Sequence, residues 1–222
     1  MLESAGLWLG SYWTILERRT FEWECWVRYR LEGRRVYLRP LAVDDFEAWR
    51  EVRVRCSDWL RKWEPRASVG NYQVYDRRLF GARCATAERE RISDTAYGFG
   101  LFLADRFIGE TNISSIQRGP CQTGNIGYWI DEDVAGNGYM PEAVALALRF
   151  AFETVSLHRI QISIIPRNFA SRRIPEKLKL RLEGISLKFL EINGIWEDHV
   201  HYAVTQEEWI RLKPEYRSLY FS

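Results

Sequence analysis

The sequence predicts a mixed α+β fold with a mostly antiparallel central sheet and one parallel junction. Three strand-like segments lie close together between residues 97 and 131, as in an antiparallel meander. An apolar helical segment at 141–155 then precedes a β-branched segment at 158–166, and a right-handed crossover would make that strand parallel to the one before the helix. Finally, Asn193-Gly194 lies between two strand-like segments, which is the strongest short signal for a hairpin.

Weaker signals predict the first elements. Residues 35–41 alternate between polar and apolar side chains and contain a proline near their end, as a first strand would. Asp44 or Asp45 can cap a helix in which Phe46 and Trp49 recur at helical spacing. Residues 74–92 predict a second helix that is mostly solvated, and a turn at Ala104-Asp105 joins the first two strands of the meander.

The C-terminal part is predicted to contain a short helix and a final hairpin. Pro175 lies inside the helix expected at 170–180, which predicts a late start or a bend, because an interior proline costs about 3 kcal/mol. Strands at 184–192 and 196–205 form the hairpin, and residues 206–211 close the fold as a helical turn or two. We therefore expect a domain over 33–211, between an N-terminal extension of 1–32 and a C-terminal tail of 212–222.

Composition indicates a soluble globular protein and excludes several classes. Of the 222 residues, 46% are hydrophobic and 28% are charged, with 32 Lys and Arg against 30 Asp and Glu. This near balance argues against a protein that coats nucleic acid by neutralising phosphates. The four cysteines form no C-x-x-C pair, and the apolar stretch at 7–16 is shorter than the about 20 residues that span a bilayer. We expect a cytoplasmic protein that binds neither nucleic acid nor membrane directly.

The loop at 133–142, between a strand and the buried helix, carries the most chemical information. Gly136 and Gly138 allow the backbone to turn sharply and to bring N–H groups close to a ligand. The helix N-terminus adds unpaired N–H donors and a partial positive charge, and Pro141 suits its first turn. The loop therefore predicts an anion site suited to a diphosphate, although a tight turn without a ligand is an equal alternative.

Five motifs occur together along the chain. They are Val36 to Leu41, Trp63-Glu64-Pro65, Gly127-Tyr128-Trp129-Ile130 with Gly136-Asn137-Gly138-Tyr139-Met140, Pro166 to Arg173, and Asn193 to His199. Their combination resembles the GNAT acetyltransferases, in particular the RimJ/RimL type that acetylates ribosomal proteins at an N-terminal alanine. The resemblance runs from about Arg34 to Trp209, with a poor match at 66–96.

The resemblance implies a GNAT-like fold in which a V-shaped cleft between the strands at 124–131 and 158–166 holds acetyl-CoA. The strand edge at Trp129, Ile130 and Asp131 would pair with the pantetheine arm. Asn168 and Ser171 would also contact this co-substrate, and Trp63 and Glu64 would lie beside the acceptor amine. The diphosphate would lie on Gly136, Asn137, Gly138, Tyr139 and Met140.

Acetyl transfer to an amine needs a neutral amine, donors for an oxyanion and a proton for the departing thiolate. The resemblance suggests Ser171 as the proton donor, and a helix N-cap is an equal alternative for this serine. A backbone N–H near Ile130, at a bulge in its strand, could serve the oxyanion. The base could be Glu191, if the apolar strand face that it shares is inward. It could also be Glu110, or a water relay without a single base.

A metal site is not expected. His199 and His201 lie two residues apart on one face of a strand, which could hold a metal, but no third ligand is evident. A solvated strand face is the preferred interpretation of this pair.

The sequence thus predicts an N-acetyltransferase that acts on an α-amine, with a protein N-terminus such as that of a ribosomal protein as acceptor. A small amine, such as an aminoglycoside or polyamine, is one alternative. A non-catalytic acyl-CoA-binding module is another, because Asp133, Pro175 and Lys179 depart from the family pattern. The aromatic N-terminal extension also makes a homodimer an option.

Overall fold

The structure, a computed structural model, describes residues 29–65 and 75–221. Its strands are β1 (Leu31–Glu32), β2 (Val36–Arg39), β3 (Tyr97–Leu103), β4 (Arg106–Gln117), β5 (Thr123–Ile130), β6 (Arg159–Ile164), β7 (Arg181–Ile192) and β8 (Ile195–Thr205). Its α-helices are α1 (Phe46–Arg55), α2 (Ser57–Arg61), α3 (Arg77–Ile92), α4 (Tyr139–Glu153), α5 (Phe169–Lys177) and α6 (Gln206–Tyr220). Two 3-10 turns, Val43–Asp45 and Glu132–Val134, precede α1 and α4.

The eight strands form one sheet in the order β1-β2-β3-β4-β5-β6-β8-β7. Every neighbouring pair is antiparallel except β5 and β6, which are parallel, as the sequence predicts. Their pairing covers only three residues of each strand, from Thr123 opposite Arg159 to Asn125 opposite Gln161. Beyond these residues the two strands are no longer paired, which leaves a gap in the middle of the sheet.

The two faces of the sheet are covered by different helices because its strands alternate. Val36 and Leu38 of β2 belong to one core, with the apolar helix α4 and with α6. Tyr37 belongs to a second core on the opposite face, together with Phe46 of α1 and Phe80 of α3. Helix α4 is buried almost all round, as its sequence predicts.

Both turns predicted within hairpins are confirmed, and each has a left-handed backbone. Ala104 and Asp105 have φ values of 45° and 66°, although neither is glycine. Asn193 and Gly194 have φ values of 48° and 87°, the geometry for which this dipeptide is favoured. These two-residue turns with positive φ values set the register of the strands on either side.

The predicted ends of the domain are wrong on both sides. Residues 212–220 are not a tail, since α6 continues past Pro214 to Tyr220 and buries Tyr216 and Tyr220 in the first core. At the other end, the sheet begins at Leu31, inside the predicted extension, and Gly33 forms a β-bridge with Phe221. The rest of that extension, residues 1–28, lies outside the described residues.

Two further expectations change. Helix α5 begins at Phe169 and continues past Pro175, so the late start expected from the proline is wrong. In β7, pairing with β8 shifts between Ser186 and Leu190, where Lys188 has a φ of 47°.

Among the described residues, no helix is long and apolar enough to cross a membrane.

Candidate active site

The gap between β5 and β6 exposes one set of main-chain groups. The Asp131 amide donates to the Ile108 carbonyl at 2.8 Å, and hydrogen bonds in an antiparallel ladder recur at every second residue. The main-chain groups of Trp129 therefore also face β4, whereas those of Tyr128 and Ile130 face the gap. These two residues offer an unpaired strand edge to a ligand that carries amide groups.

This geometry corrects two expectations about β5. Trp129 and Asp131 do not direct their main chains into the gap, because the ladder to β4 uses them. No bulge occurs at Ile130, since pairing between β4 and β5 is regular from Gly109 opposite Ile130 to Ser114 opposite Asn125. The Ile130 amide reaches the gap through ordinary strand alternation instead.

The loop before α4 has the geometry of an anion site. Gly136 and Gly138 have φ values of 84° and 82°, in the left-handed region that favours glycine. Gly138 is the N-cap of α4, and Tyr139 is its first residue. The Asn137 side chain donates to the Val134 carbonyl at 3.1 Å and holds the loop closed. The unpaired N–H groups at the start of α4 can thus approach a diphosphate closely.

Two cationic side chains lie against this loop, and sequence reasoning missed both. Arg35 donates to the carbonyl oxygens of Asn137 and Gly138, at 3.0 Å each, and its guanidinium lies 4.9 Å from the centre of the Tyr139 ring. The Lys177 ammonium lies 3.9 Å from the position that a Cβ on Gly138 would occupy. Arg35 is paired with Glu142, so Lys177 is the one of these two cations that can act as a counter-charge to a diphosphate.

Buried Glu142 fixes Arg35 in this place. Its carboxylate, on the first turn of α4, accepts hydrogen bonds from the backbone and side chain of Arg35 and from the Val36 amide. A Cβ on Gly33 would lie only 2.6 Å from the same carboxylate, so residue 33 must remain small. The start of β2 and the start of α4 are thereby tied together.

Asp131 supports the loop from beneath and does not face the gap. Its carboxylate is fully buried and accepts hydrogen bonds from Arg55, Arg106 and the Cys56 thiol. Burial alone would raise the pKa of Asp131, but the hydrogen bonds from Arg55, the Asp133 amide and Cys56 hold that pKa below its ordinary value. Asp131 is therefore an ionised anchor between α1 and the loop.

Asp133 departs from the family pattern without leaving an unpaired charge. Its carboxylate forms an ion pair with Arg55, which also binds Asp131. The negative charge near the proposed diphosphate site is thus neutralised by a guanidinium from α1. Arg55 is a third charged residue that the sequence did not single out.

Asn168 and Ser171 lie at the start of α5, where Asn168 is the N-cap. Its side chain accepts from the Ser171 amide at 3.2 Å, so the alternative in which Ser171 caps the helix is wrong. The Ser171 hydroxyl donates to the hydroxyl of Tyr128 at 3.2 Å. Ser171 therefore points from α5 towards β5, the strand that borders the gap.

On the α1 face of the sheet, Glu110 lies opposite Trp129 in the ladder. Its carboxylate accepts from the Trp49 indole at 2.7 Å and forms an ion pair with Arg83. Both carboxylate oxygens therefore have donors, from α1 and from α3, and these contacts fix the position of the Glu110 side chain.

Three segments meet near Trp129: helix α1, the loop after α2 and the turn of the final hairpin. The Arg53 guanidinium lies 5.1 Å from the centre of the Trp129 ring and binds Glu64 through both of its terminal nitrogens. The turn of the final hairpin reaches the same loop, where the Asn193 amide donates to the Glu64 carbonyl at 3.2 Å. This region, at Trp129, Glu64 and the hairpin turn, is the candidate acceptor pocket.

The β6–α5 loop completes the rim of the acceptor pocket. The Arg167 guanidinium lies 5.2 Å from the centre of the Trp63 ring and forms an ion pair with Glu197 of β8. Trp63 and Glu64 thus lie at the junction of the loop after α2 with the final hairpin.

Glu191 does not have the surroundings expected of a buried base. The apolar row that leads to it is exposed, with Leu187 at 77%, and Glu191 itself is exposed. The shift in pairing near Lys188 also breaks the strand alternation on which the shared face depended. The interpretation of Glu191 as a base at the end of a buried apolar row is therefore wrong.

The two histidines of β8 form a packed cluster. His199 is buried, so the interpretation as a solvated face is wrong for it. His201 is bonded through both ring nitrogens, to Ser163 at 2.9 Å and to Ser186 at 2.8 Å. No group of three or more potential ligands that could hold a metal is found among the described residues.

Comparison with known proteins matches this geometry to one family. Residues 35–181 match the family model of the acetyltransferase (GNAT) domain. The chain is 38% identical over 177 residues to the probable N-acetyltransferase YjcK of Bacillus subtilis (strain 168), covering 78% of this chain and 96% of the relative. It is 31% identical over 186 residues to the ribosomal protein uS5 alanine N-acetyltransferase of Escherichia coli (strain K12). This match covers 82% of this chain and 93% of the relative.

Comparison with solved structures leads to the same family. The structure of Mycobacterium smegmatis RimJ in complex with CoA-disulfide superimposes with a TM-score of 0.79 at 28% identity, covering 85% of this chain and 91% of that one. The unpaired edge of β5, the glycine loop and its two cations fit the binding of acetyl-CoA. The chain therefore belongs to the GNAT acetyltransferase family and is an acetyl-CoA-dependent N-acetyltransferase of the RimJ type.

Proposed function

We propose that this enzyme acetylates the α-amine of a protein N-terminus, with a ribosomal protein as the expected class of acceptor. The observation that carries this proposal is the charge of the acceptor pocket. Its three carboxylates, Glu64, Glu110 and Glu197, are each paired with an arginine. These three described carboxylates therefore leave no surplus negative charge beside Trp129 and Glu64 to attract a polyamine or an aminoglycoside. The relative from Escherichia coli, which acts on an N-terminal alanine, supports a peptide acceptor.

The co-substrate supplies an activated acetyl thioester, and the residues of the gap are arranged to hold it. We assign the main chains of Tyr128 and Ile130 to the pantetheine arm, because they form the unpaired edge of β5. The N–H groups of Gly136 to Met140 take the diphosphate, with Lys177 nearby as a counter-charge. Asn168 contributes indirectly, by capping α5 and thereby orienting Ser171.

Catalysis then rests on few side chains. The Ile130 amide faces the gap and is assigned as the oxyanion donor. Ser171 is assigned as the proton donor to the sulfur. Because Glu110 is held by Trp49 and Arg83, and Glu191 is exposed, we propose that the amine loses its proton to water.

The three departures from the family pattern do not favour a non-catalytic module, because each is accommodated. Asp133 is paired with Arg55. Pro175 is tolerated inside α5, which continues to Lys177. Lys179 takes the left-handed position where the family has glycine, with a φ of 57°, and its ammonium binds Glu215.

The test measures thiol release from acetyl-CoA with three acceptors. These are a peptide that begins with alanine, the same peptide with its α-amine blocked and an internal lysine free, and spermidine. We expect release with the free α-amine only, and mass spectrometry should locate the acetyl group on residue 1. Faster release with spermidine, or with the blocked peptide, would contradict the proposed acceptor while leaving the enzyme class intact.

A further inference from the structure

The hydroxyl of Tyr128 connects β5 to α5 through two hydrogen bonds, both of them to Ser171. It donates to the main-chain carbonyl of Ser171 at 3.0 Å and accepts from the Ser171 side-chain hydroxyl at 3.2 Å. The main chain of Tyr128, like that of Ile130, also borders the gap between β5 and β6. A single side chain of β5 thus contacts both the carbonyl and the hydroxyl of the proposed proton donor.

Pro175 explains why the Ser171 carbonyl is free to accept from Tyr128. In an α-helix, the carbonyl of residue 171 accepts from the N–H of residue 175, but proline has no N–H. The helix runs from Phe169 to Lys177, so this position is interior and the missing bond is not an end effect. The Tyr128 hydroxyl supplies the donor that Pro175 lacks.

The direction of these bonds sets the resting orientation of the Ser171 hydroxyl. Because the proton of Tyr128 is committed to the carbonyl, its oxygen can only accept from the Ser171 hydroxyl. Burial raises the pKa of the Tyr128 hydroxyl, which keeps it protonated as a donor across the physiological range. In the resting site the Ser171 hydroxyl is therefore held towards β5, and its proton leaves Tyr128 by rotation about the Cβ–Oγ bond when a thiolate accepts it.

We propose that Tyr128 is a positioning residue that holds Ser171 for protonation of the departing thiolate, and that Pro175 creates the acceptor to which Tyr128 is anchored. This inference rests on the proposed role of Ser171. In the step itself, the O–H bond of Ser171 breaks as an S–H bond forms on the sulfur, and solvent water returns a proton to the oxygen.

The first test is independent of activity and compares melting temperatures. Tyr128→Phe leaves the Ser171 carbonyl without a donor, so we expect the Tm to fall by about 3 °C or more. In the Pro175→Ala background the alanine N–H can satisfy that carbonyl, and the loss caused by Tyr128→Phe should be clearly smaller. Equal losses in the two backgrounds would overturn the link between Pro175 and Tyr128.

The second test measures turnover with acetyl-CoA and the accepted amine. We expect Tyr128→Phe to lower kcat about 10-fold and to change KM for acetyl-CoA less than about twofold. In a Ser171→Ala background, Tyr128→Phe should cause no further loss, because its effect passes through the serine. An equal loss of kcat with and without Ser171 would overturn the positioning role.

Tyr202→Phe is the matched control. The Tyr202 hydroxyl also binds α5, donating to Glu176 at 2.7 Å and accepting from Arg172 at 3.2 Å, but it does not touch Ser171. We expect its kcat to be unchanged, and a loss equal to that of Tyr128→Phe would indicate general loosening of α5. If the wild type acetylates no amine, the proposed function fails, and the melting-temperature comparison still decides the link between Pro175 and Tyr128.

Discussion

At the scale of single residues, the site depends on the neutralisation of charges that would otherwise repel the co-substrate. Arg55 binds both Asp131 and Asp133, and Asp133 precedes the glycine loop. Opposite charges at such short range interact strongly where solvent is partly excluded. A single guanidinium from α1 therefore makes an acidic loop compatible with a diphosphate ligand.

The change Arg55→Gln should raise KM for acetyl-CoA about 10-fold, because Asp133 would then present an unpaired negative charge to the diphosphate. Arg106→Gln is its control, since Arg106 binds Asp131 but leaves the pair between Arg55 and Asp133 intact. Steady-state kinetics should show a change of less than about threefold in this control. Equal values of KM for both variants would show that Asp133 does not face the ligand.

Asp131 should contribute stability that depends on pH. Its pKa in the folded protein lies below the ordinary value of 3.8, so its contribution is complete above about pH 4 and is lost as pH falls through the folded pKa. At pH 7, Asp131→Asn should lower the free energy of unfolding by about 3 kcal/mol, near the low end for a broken buried pair because both arginines are partly exposed.

The measurement is urea unfolding of the wild type and of Asp131→Asn between pH 7 and pH 3. The difference in free energy of unfolding between the two proteins should shrink at the acid end, as the wild-type carboxylate becomes protonated. A difference that stays constant down to pH 3 would contradict the lowered pKa, because the unfolded wild type already takes up a proton as the pH falls below the ordinary value of 3.8. A difference that grows as the pH falls would contradict the predicted direction of the change in the Asp131 contribution.

At the scale of elements, helix α5 shows how tertiary contacts override local rules. It contains an interior proline, and the left-handed Lys179 follows its end at a position where a lysine is strained. Lys179 binds Glu215 of α6, but both side chains are largely exposed, at 60% and 43%, so this pair contributes little. The backbone conformation at residue 179 is therefore a source of strain that glycine would relieve.

Two substitutions at residue 179 isolate this strain. Lys179→Gly and Lys179→Ala both remove the ion pair to Glu215, but only glycine adopts a φ of 57° without a steric penalty. We expect the glycine variant to be more stable than the alanine variant by about 1 kcal/mol in urea unfolding. Identical stabilities would mean that the end of α5 relaxes to another conformation when the ion pair is lost.

At the scale of the whole molecule, the sequence predicted the order of the strands from β2 to β8 and the parallel junction, but not helix α2. Local signals sufficed there: the apolar helix α4, the β-branched strand β6 and the turn at Asn193-Gly194 each specify their own structure. The glycine loop was likewise predictable from spacing. Arg35, Arg55 and Lys177 were missed, because they reach the loop from distant parts of the chain.

The errors have a common physical cause, which is that a local signal was outweighed by contacts elsewhere. Pro175 predicted a disrupted helix, but Tyr128 replaces the missing donor. Alternation in β7 made Glu191 a candidate base if its apolar row faced inward, but that row is exposed from Ile185 to Phe189. Residues beyond 211 were expected to form a tail, whereas α6 continues because its aromatic side chains are buried in the core.

Helix α6 should therefore be required for folding, despite its position at the end of the described chain. Its last two turns bury Tyr216 and Tyr220, and Phe221 follows, with exposures of 2%, 8% and 6%. Loss of one large buried aromatic costs about 3–5 kcal/mol, and a whole domain has only about 5–15 kcal/mol of stability. A chain that ends at Arg211 should lack cooperative thermal unfolding by circular dichroism.

Point substitutions in the full chain separate burial from chain length. Tyr216→Ala should lower the free energy of unfolding by about 3 kcal/mol or more, because it leaves a cavity between α6 and the first core. Leu219→Ala, on the exposed face of the same helix, should change it by less than about 0.5 kcal/mol. Equal effects, or a truncated chain with the wild-type melting temperature, would mean that the core is complete without the end of α6. Because that core also supports α4 and the glycine loop, the expected loss of folding would remove acetyl-CoA binding together with structure.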